Sequence, residues 1–534
     1  MNKRFTNNSY RHSMSRAFCH IAAECRSPHR LKPLPKAAWT AALQDAPAAQ
    51  QHRMAKRSQL DSFSLKGNVA ADRTRWYCLK DYSEQVFLLL AFGLCAASGF
   101  AAGNEPADYH AEAKRLTQAA TNSVFGFSRL AMMCDTFGPR FTGSENLEEA
   151  IDWCLVEMKK DGFQNVRGEE VTVPRWVRGN ESVELLSPRH RKLPMLGLGG
   201  SVGTPPGGIT AEVLVVSGFD DLKKRAAEAR GKIVLFNVPF TEYRQTVIVR
   251  TQGAIHAARA GAVASLIRSV GPFSMQTPHT GGMSYAKGVK QIPHAALSLE
   301  DANMLTRMAA RGETIRVRLK MEARTLPDGI SRNVIAEIPG REKPDEIVIV
   351  SGHIDSWDVG QGAMDDGGGC LAAWEAARLM LKLGLRPRRT VRVVLWTNEE
   401  NGIRGAMQYA QRHEAALAKH TLAIESDAGV FRPTGFGFLG SGRGMEIIRG
   451  VGKLLDPIGA GYIAKGCRGA DVLKLVRGGV PVMHLEVDRE KYFWYHHTDA
   501  DTIDKLDQGE FNQCVAAMAV MAYVIADLPE TLPR

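Results

Sequence analysis

The sequence predicts an α/β protein: a mixed, mainly parallel sheet sandwiched by helices, with a second, small α/β domain inserted into the chain. Three observations carry this reading. From Asn333 to Asp527 strand-like and helix-like segments alternate, as they do where helices cover both faces of a sheet. The strands there are unbroken runs of β-branched and aliphatic residues, such as Ile347–Val350 and Val391–Thr397, the texture of strands buried on both faces. Between about Pro188 and Arg324 the texture changes to short strands, turns and glycine-rich joints without catalytic motifs, which fits an inserted domain.

The chain has 534 residues, 44% of them hydrophobic, which suffices for a sizeable core and exceeds what one compact domain usually holds. Its net charge of +11 is unevenly spread: residues 1–85 hold 15 Lys and Arg against 6 Asp and Glu, leaving +2 for the rest. A nucleic-acid surface on the folded part is therefore not indicated. Residues 1–82 are Ser-, Arg- and Ala-rich, broken by Pro33, Pro35 and Pro47, and read as a disordered basic leader or a start codon set too far upstream. The apolar run Val86–Gly99 follows Lys80 and runs into Ala101, Ala102 and Gly103, the profile of a cleaved secretory signal rather than a membrane span. Residues 83–102 are thus expected to direct export, periplasmic or secreted, without a stable membrane anchor; a buried core helix is the other reading. Leu94 before Cys95 argues against lipid attachment. Cys134, Cys154, Cys370, Cys467 and Cys514 are too sparse for a disulfide framework, although one bridge could form in an oxidising compartment.

Residues 103–187 open the main domain. Ala111–Arg129 and Leu147–Lys160 carry the helical period, Cys134–Gly143 is a Gly/Pro loop between them, and Val166–Pro174 reads as a strand. The insert, 188–324, has strand-like Glu212–Val216, Ile233–Val238 and Ala262–Ile267, a hinge-like break at Thr204–Gly208 and a helical Thr251–Ala260. Residues 325–534 complete the main domain, with strands at Val334–Ile338, Ile347–Val350, Val391–Thr397, Thr421–Ile424 and Val480–Leu485. Helices are expected at 370–383, 402–418, 444–455 and 508–527.

The chemistry-bearing residues gather mostly at the ends of those strands. His353 and Asp355 follow the first, Asp365-Asp366 precede a helix, Glu399-Glu400 end Val391–Thr397, and Asp427 follows Thr421–Ile424. Gly469-Ala470-Asp471 and His496-His497, with Asp501-Thr502, complete the set. In open α/β sheets such loops converge on one crevice. Histidines among carboxylates suit hard or borderline divalent metals through N and O ligands. Taken singly each has a plain alternative: a surface His, a helix cap for one of the two Asp, solvated Glu, a turn Asp, a loop His. All of them together would require five coincidences in one half of the chain. Two adjacent carboxylates can divide labour, one binding metal and the other serving as a general base. Gly435–Gly440 fits a dinucleotide pattern formally but lacks the strand and ribose-binding acid, and Gly440-Ser441-Gly442 lacks the nucleophile elbow.

The order His, Asp, Glu-Glu, Asp, His resembles the co-catalytic zinc exopeptidases related to bacterial aminopeptidases, glutamate carboxypeptidase and the transferrin receptor. The strings GHIDSWDVGQGAMDDG (352–367), LWTNEE (395–400), ESDAG (425–429) and KYFWYHH (491–497) are similar to the carboxypeptidase Q branch of that family. The likeness spans roughly residues 106–534, and the inserted block is similar to the branch's protease-associated domain.

The resemblance implies two zinc ions per chain. Asp365 would bridge them; one zinc would add His353 and Asp427, the other Glu400 and His497. Glu399 would be the general base and Asp355 the orienter of His353, with a cis peptide between Asp365 and Asp366. Two such metals activate a shared water and polarise a carbonyl, so no Ser or Cys nucleophile is required. Short unblocked peptides are the expected substrates, and a homodimer is the assembly the family suggests. A dipeptidase or carboxypeptidase is the first reading, an aminopeptidase on the same site the second, and a receptor-like protein on an inactive fold a remote third. Asp471 and His496 are candidates for substrate contact. Asp471, as a carboxylate, suits a free α-ammonium, with a helix cap as its alternative. Asn398 stands where a small residue is expected, and Cys467-Arg468 also depart from the pattern; both leave the side-chain preference open.

Overall fold

The computed structural model describes residues 108–534; the leader and signal expectations for residues 1–102 lie outside the described residues. Strands β1 (Gln164–Val177), β2 (Glu181–Ser187), β3 (Arg191–Leu193), β4 (Met195–Gly197), β5 (Ile209–Val216), β6 (Ile233–Phe236), β7 (Ala264–Arg268), β8 (His294–Leu297) and β9 (Arg316–Met321) come first. β10 (Arg324–Ile338), β11 (Lys343–His353), β12 (Arg389–Trp396), β13 (His420–Glu425), β14 (Pro433–Leu439), β15 (Tyr462–Lys465) and β16 (Val482–Val487) follow. They form two eight-stranded sheets.

The main sheet runs β1-β10-β12-β11-β13-β16-β14-β15. Its centre, β12-β11-β13-β16, is parallel, and antiparallel pairs flank it. The alternation of β11 explains the sandwich. Val348 and Val350 point into a core shared with helices Gly368–Lys382 and Gln508–Asp527, while Ile347 and Ile349 join Ala406, Tyr409 and Leu475 on the other face. Helix Gln508–Asp527 is apolar all round because it lies inside that core. It is long and apolar enough to cross a membrane, yet it is mostly buried in the protein.

The second sheet, β3-β2-β9-β5-β6-β7-β8-β4, draws on residues 181–321. It starts ahead of Pro188 because that proline lies in the turn of the β2–β3 hairpin and does not mark a break between domains. Trp357 and Val359, from the loop after β11, pack among its apolar residues together with Phe141 and Trp176.

Several elements differ from the sequence reading. The helix expected over Ala111–Arg129 is two helices, His110–Thr121 and Phe125–Phe137. The carbonyls freed at the break are taken by Asn512 Nδ2, which donates to Ser123 O at 2.7 Å. The helix expected over 402–418 is α-helical only over Arg404–Arg412 and continues as a 3₁₀ turn, Glu414–Lys419. Strands β14 and β15 of the main sheet had no counterpart, nor did β2, β3, β4, β8 and β9 of the second; Gly435 and Gly437 interrupt the apolar period of β14. All five cysteines in the described residues are free.

Candidate metal centre

Parallel pairing fixes where the site forms. His353 at the end of β11 is level with Trp396 at the end of β12, and Ser351 is level with Glu425 of β13. The residues that follow these three strands therefore leave the sheet at one edge, as expected where a crevice opens beyond strand C-termini.

Asp365 lies at the centre. Its Oδ1 is 3.3 Å from His353 Nε2, which is 3.4 Å from Asp427 Oδ1. Its Oδ2 is 3.4 Å from His497 Nε2, which is 3.0 Å from Glu400 Oε2. The five residues the resemblance names as ligands are thus brought together, in two sets that share one carboxylate. His496 also comes close, with Nε2 3.7 Å from Asp365 Oδ2 and its ring stacked on that of His497, centroids 3.5 Å apart. His353, Asp365 and Asp427 form one group of converging donors, and Asp365, His496 and His497 another. Of Glu400 and His496, Glu400 is the stronger candidate beside His497, since its Oε1 is buried without a hydrogen-bond donor.

The shell around the cluster orients it. His353 Nδ1 donates to the backbone carbonyl of Asp355 at 2.9 Å, leaving Nε2 to the cluster. The Asp355 carboxylate acts elsewhere. It accepts from Glu399 N (3.0 Å), Glu400 N (3.3 Å) and Thr142 Oγ1 (3.0 Å), pinning the turn that carries both glutamates. The Asp365–Asp366 peptide is cis. Asp366 accepts from His353 N and Gly369 N, both at 3.0 Å, so it caps the following helix while Asp365 faces the histidines. Asn398 has φ +63°, a region asparagine tolerates well, which accounts for its place at the head of the Glu399-Glu400 turn.

Two positioning roles escaped the sequence reading, that of Asp501, which it named only as a member of the last motif, and that of Arg140. Asp501 accepts from Met364 N (2.7 Å) and Asp365 N (3.1 Å), fixing the backbone of the shared carboxylate. Its place in the HHTDADT string was the only signal. Arg140 is fully buried and donates to the carbonyls of Gly138, Ile354, Gln361 and Gly362, tying the loop after β11. Nothing local in the sequence marks that role.

Burial and crowding shift the protonation of these groups. Burial, reinforced by Asp427 and Glu400, pushes the Glu399 carboxyl well above its ordinary value. Burial opposes charge on His497, but Glu400 and Asp365 outweigh it and hold the imidazole at about 9. Burial and His497 hold His496 well below its usual range. Burial raises Asp365, yet His353 and His497 bring it well below the normal carboxylate range.

The donor set fits zinc. Two imidazole Nε2 atoms and three carboxylates converge, the ligand types zinc takes. Asp365 Oδ2 and Glu400 Oε1 are buried with no hydrogen-bond donor, a costly arrangement for an anion unless a cation meets it.

Asp471 stands apart. It is fully buried and precedes the 3₁₀ turn Val472–Gly478, but its side chain caps nothing. Glu425 does the capping, accepting from Asp471 N (3.4 Å) and Val472 N (2.8 Å). Both Asp471 carboxylate oxygens lack a donor, and burial with Glu425 and Glu399 nearby raises its carboxyl well above normal.

Comparison with known proteins agrees with this geometry. Residues 333–522 match the profile of Peptidase family M28. Mouse carboxypeptidase Q is 49% identical over 433 residues, covering 80% of this chain and 92% of that one. The crystal structure of a Peptidase M28 precursor from Shewanella amazonensis is 36% identical with a TM-score of 0.77, over 80% of this chain and 98% of that one. The zinc aminopeptidase of Bacillus subtilis shares the fold, with a TM-score of 0.57 at 19% identity over 76% of this chain and 98% of that one. The chain belongs to peptidase family M28, as a carboxypeptidase Q-like zinc exopeptidase.

Proposed function

We propose that this exopeptidase works with two zinc ions and hydrolyses dipeptides or short peptides with a free N-terminus. One observation carries the reading: Asp365 presents one oxygen to His353, which meets Asp427, and the other to His497, which meets Glu400. A zinc pair held there supplies an activated water and a polarised scissile carbonyl. Glu399, on the same turn as Glu400 but not paired with His497, takes the water proton and returns it to the leaving amine. The Asp355 carboxylate holds that turn still through the two backbone N–H groups.

The preference for a free N-terminus rests on Asp471. Among the fully buried carboxylate oxygens in and beside the cluster, those without a hydrogen-bond donor are Asp365 Oδ2, Glu400 Oε1 and both of Asp471. The first two are accounted for by the metals; the Asp471 pair marks a third place for positive charge, and a substrate α-ammonium is the cation a dipeptide brings. His496, stacked on His497 and 3.7 Å from Asp365, is read as a second substrate contact. The second-sheet unit is read as a protease-associated-type domain that closes part of the cleft and limits substrate length. Export to the periplasm or medium and assembly as a homodimer belong to the same reading. N-terminal sequencing and solution mass of the natively produced protein test them.

The deciding experiment is mass-spectrometric product analysis on a panel of dipeptides, tripeptides and N-acetylated dipeptides, with zinc measured alongside. Two zinc per chain and release of free amino acids from unblocked dipeptides are expected. Asp471→Asn should raise KM for free dipeptides far more than for acetylated ones. One zinc per chain, or no cleavage of any panel member, sinks the proposal; equal losses on both substrate types remove Asp471 from it.

A further inference from the structure

A histidine that binds metal through Nε2 needs an outer acceptor for its Nδ1 proton. For His353 that acceptor is local, the Asp355 carbonyl. For His497 it comes from the second-sheet unit: Nδ1 lies 3.4 Å from the carbonyl oxygen of Thr280, and Thr280 N donates back to His497 O at 2.9 Å. The neighbouring residue repeats the pattern, with His279 Nδ1 2.8 Å from His496 O. His497 sits at φ +61°, a conformation a histidine rarely keeps without such restraint.

Behind this pair lies Arg250, from helix Ile248–Arg259, 7% exposed. Its Nη1 donates to the same Thr280 oxygen at 3.3 Å and lies 3.5 Å from His497 Nδ1, while Nη2 donates to Tyr243 Oη at 3.0 Å. The two groups it donates to, Thr280 O and Tyr243 Oη, are neutral, and Nε has no partner. A guanidinium accepts no hydrogen bond, so once Nε2 holds metal the acceptor for the Nδ1 proton is the Thr280 carbonyl, which Arg250 fixes in place through Nη1. The guanidinium reaches that place by lying on Gly281, where a Cβ would stand 2.2 Å from Nη1. Tyr243 stacks on Phe493, centroids 5.0 Å apart, and meets His496 edge-on, closing the other side.

We infer that the second-sheet unit is a working part of the metal centre: Arg250 and Thr280 position His497, so one zinc site is complete only when this unit is seated. The inference rests on the two-zinc reading above. Arg250 acts on the far side of the imidazole from the metals, which makes it a positioning residue and not a substrate anchor.

The test is zinc retention during titration with a competing chelator, on the full chain. Wild type should release two zinc ions. Arg250→Met should bind one of them about 10–100-fold more weakly, the range seen when an outer partner of a metal-bound histidine is lost, with the other unchanged. Tyr243→Phe, which removes a single bond to Arg250, should weaken the same zinc by less, and this milder variant decides the matter if Arg250→Met does not fold. Tyr285→Phe, whose hydroxyl bonds only within the second-sheet unit (Val202 N and Ile292 O), should change neither zinc. Unchanged affinities in the Arg250 and Tyr243 variants, or equal weakening of both zincs, overturn the inference. A wild type holding a single zinc instead overturns the two-zinc reading on which it stands.

Discussion

At the scale of the residue, the sharpest contrast is between two neighbours on one turn. Glu400 presents Oε2 to His497 at 3.0 Å, whereas Glu399 makes no such pair with a histidine. Glu399→Ala should therefore slow turnover by about 10²–10⁴-fold while the protein keeps its zinc, because a proton-transfer group contributes on that scale. Glu400→Ala should release zinc at lower chelator concentration. Matching zinc content and matching residual rates in the two variants would show that the labour is not divided. The residues proposed to hold metal were legible in the sequence because each required chemistry narrows the residue type to His, Asp or Glu at a strand end. Those that aim them were not. Arg140 reaches Ile354 and Gly362 across more than two hundred residues, and Thr280 acts through its backbone carbonyl, which no side chain encodes. Asp355 was half legible: its link to His353 was anticipated, but the backbone carbonyl makes it, and the carboxylate serves Glu399 and Glu400.

At the scale of the element, strands with unbroken aliphatic runs and the all-apolar final helix were readable, since burial on both faces leaves one composition. Helix breaks and glycine-bearing strands were not. The break at Asn122–Val124 is stabilised from afar by Asn512, and β14 is completed by antiparallel pairing with β16. One junction between elements carries a pH prediction. His420 opens β13, donating Nδ1 to Ala416 O at 3.0 Å and meeting Tyr409 Oη at 2.9 Å, so helix Arg404–Arg412 is tied to the sheet through a neutral imidazole. Burial lowers this group from 6.5 to about 4. Between those values the unfolded chain takes up a proton that the folded one refuses, so stability is lost as pH falls through that window and regained as it rises. The loss approaches about 3 kcal/mol at its lower end. Urea unfolding at pH 7 and pH 4.5 should show a smaller acid loss for His420→Gln than for wild type. An equal loss in both would place the acid sensitivity elsewhere.

At the scale of the whole molecule, the two sheets meet at an aromatic seam next to the candidate ligand His497. Trp357, 2% exposed, stacks on Phe141 with centroids 4.9 Å apart and stands 5.5 Å from the His497 ring. Its six-membered ring rests on Gly199 of the second-sheet unit so closely that a Cβ there would lie 2.1 Å from Cη2. Interiors packed at this density do not absorb a methyl group without displacement. Because Trp357 is held on its other face by Phe141 and the main domain, the part with room to yield is the second-sheet unit. Gly199→Ala should thus shift that unit off its seat while leaving both cores intact, and Thr280 should move with it. The expected result is a variant that melts cooperatively but is cleaved faster by protease near the chain crossings at 178–180 and 322–323, and that loses one zinc more readily than wild type. The protease arm reads the seam and the zinc arm reads its coupling to His497. Faster cleavage with both zinc affinities preserved would mean that the seam opens without disturbing the metal centre, and that His497 keeps its geometry from the main domain alone.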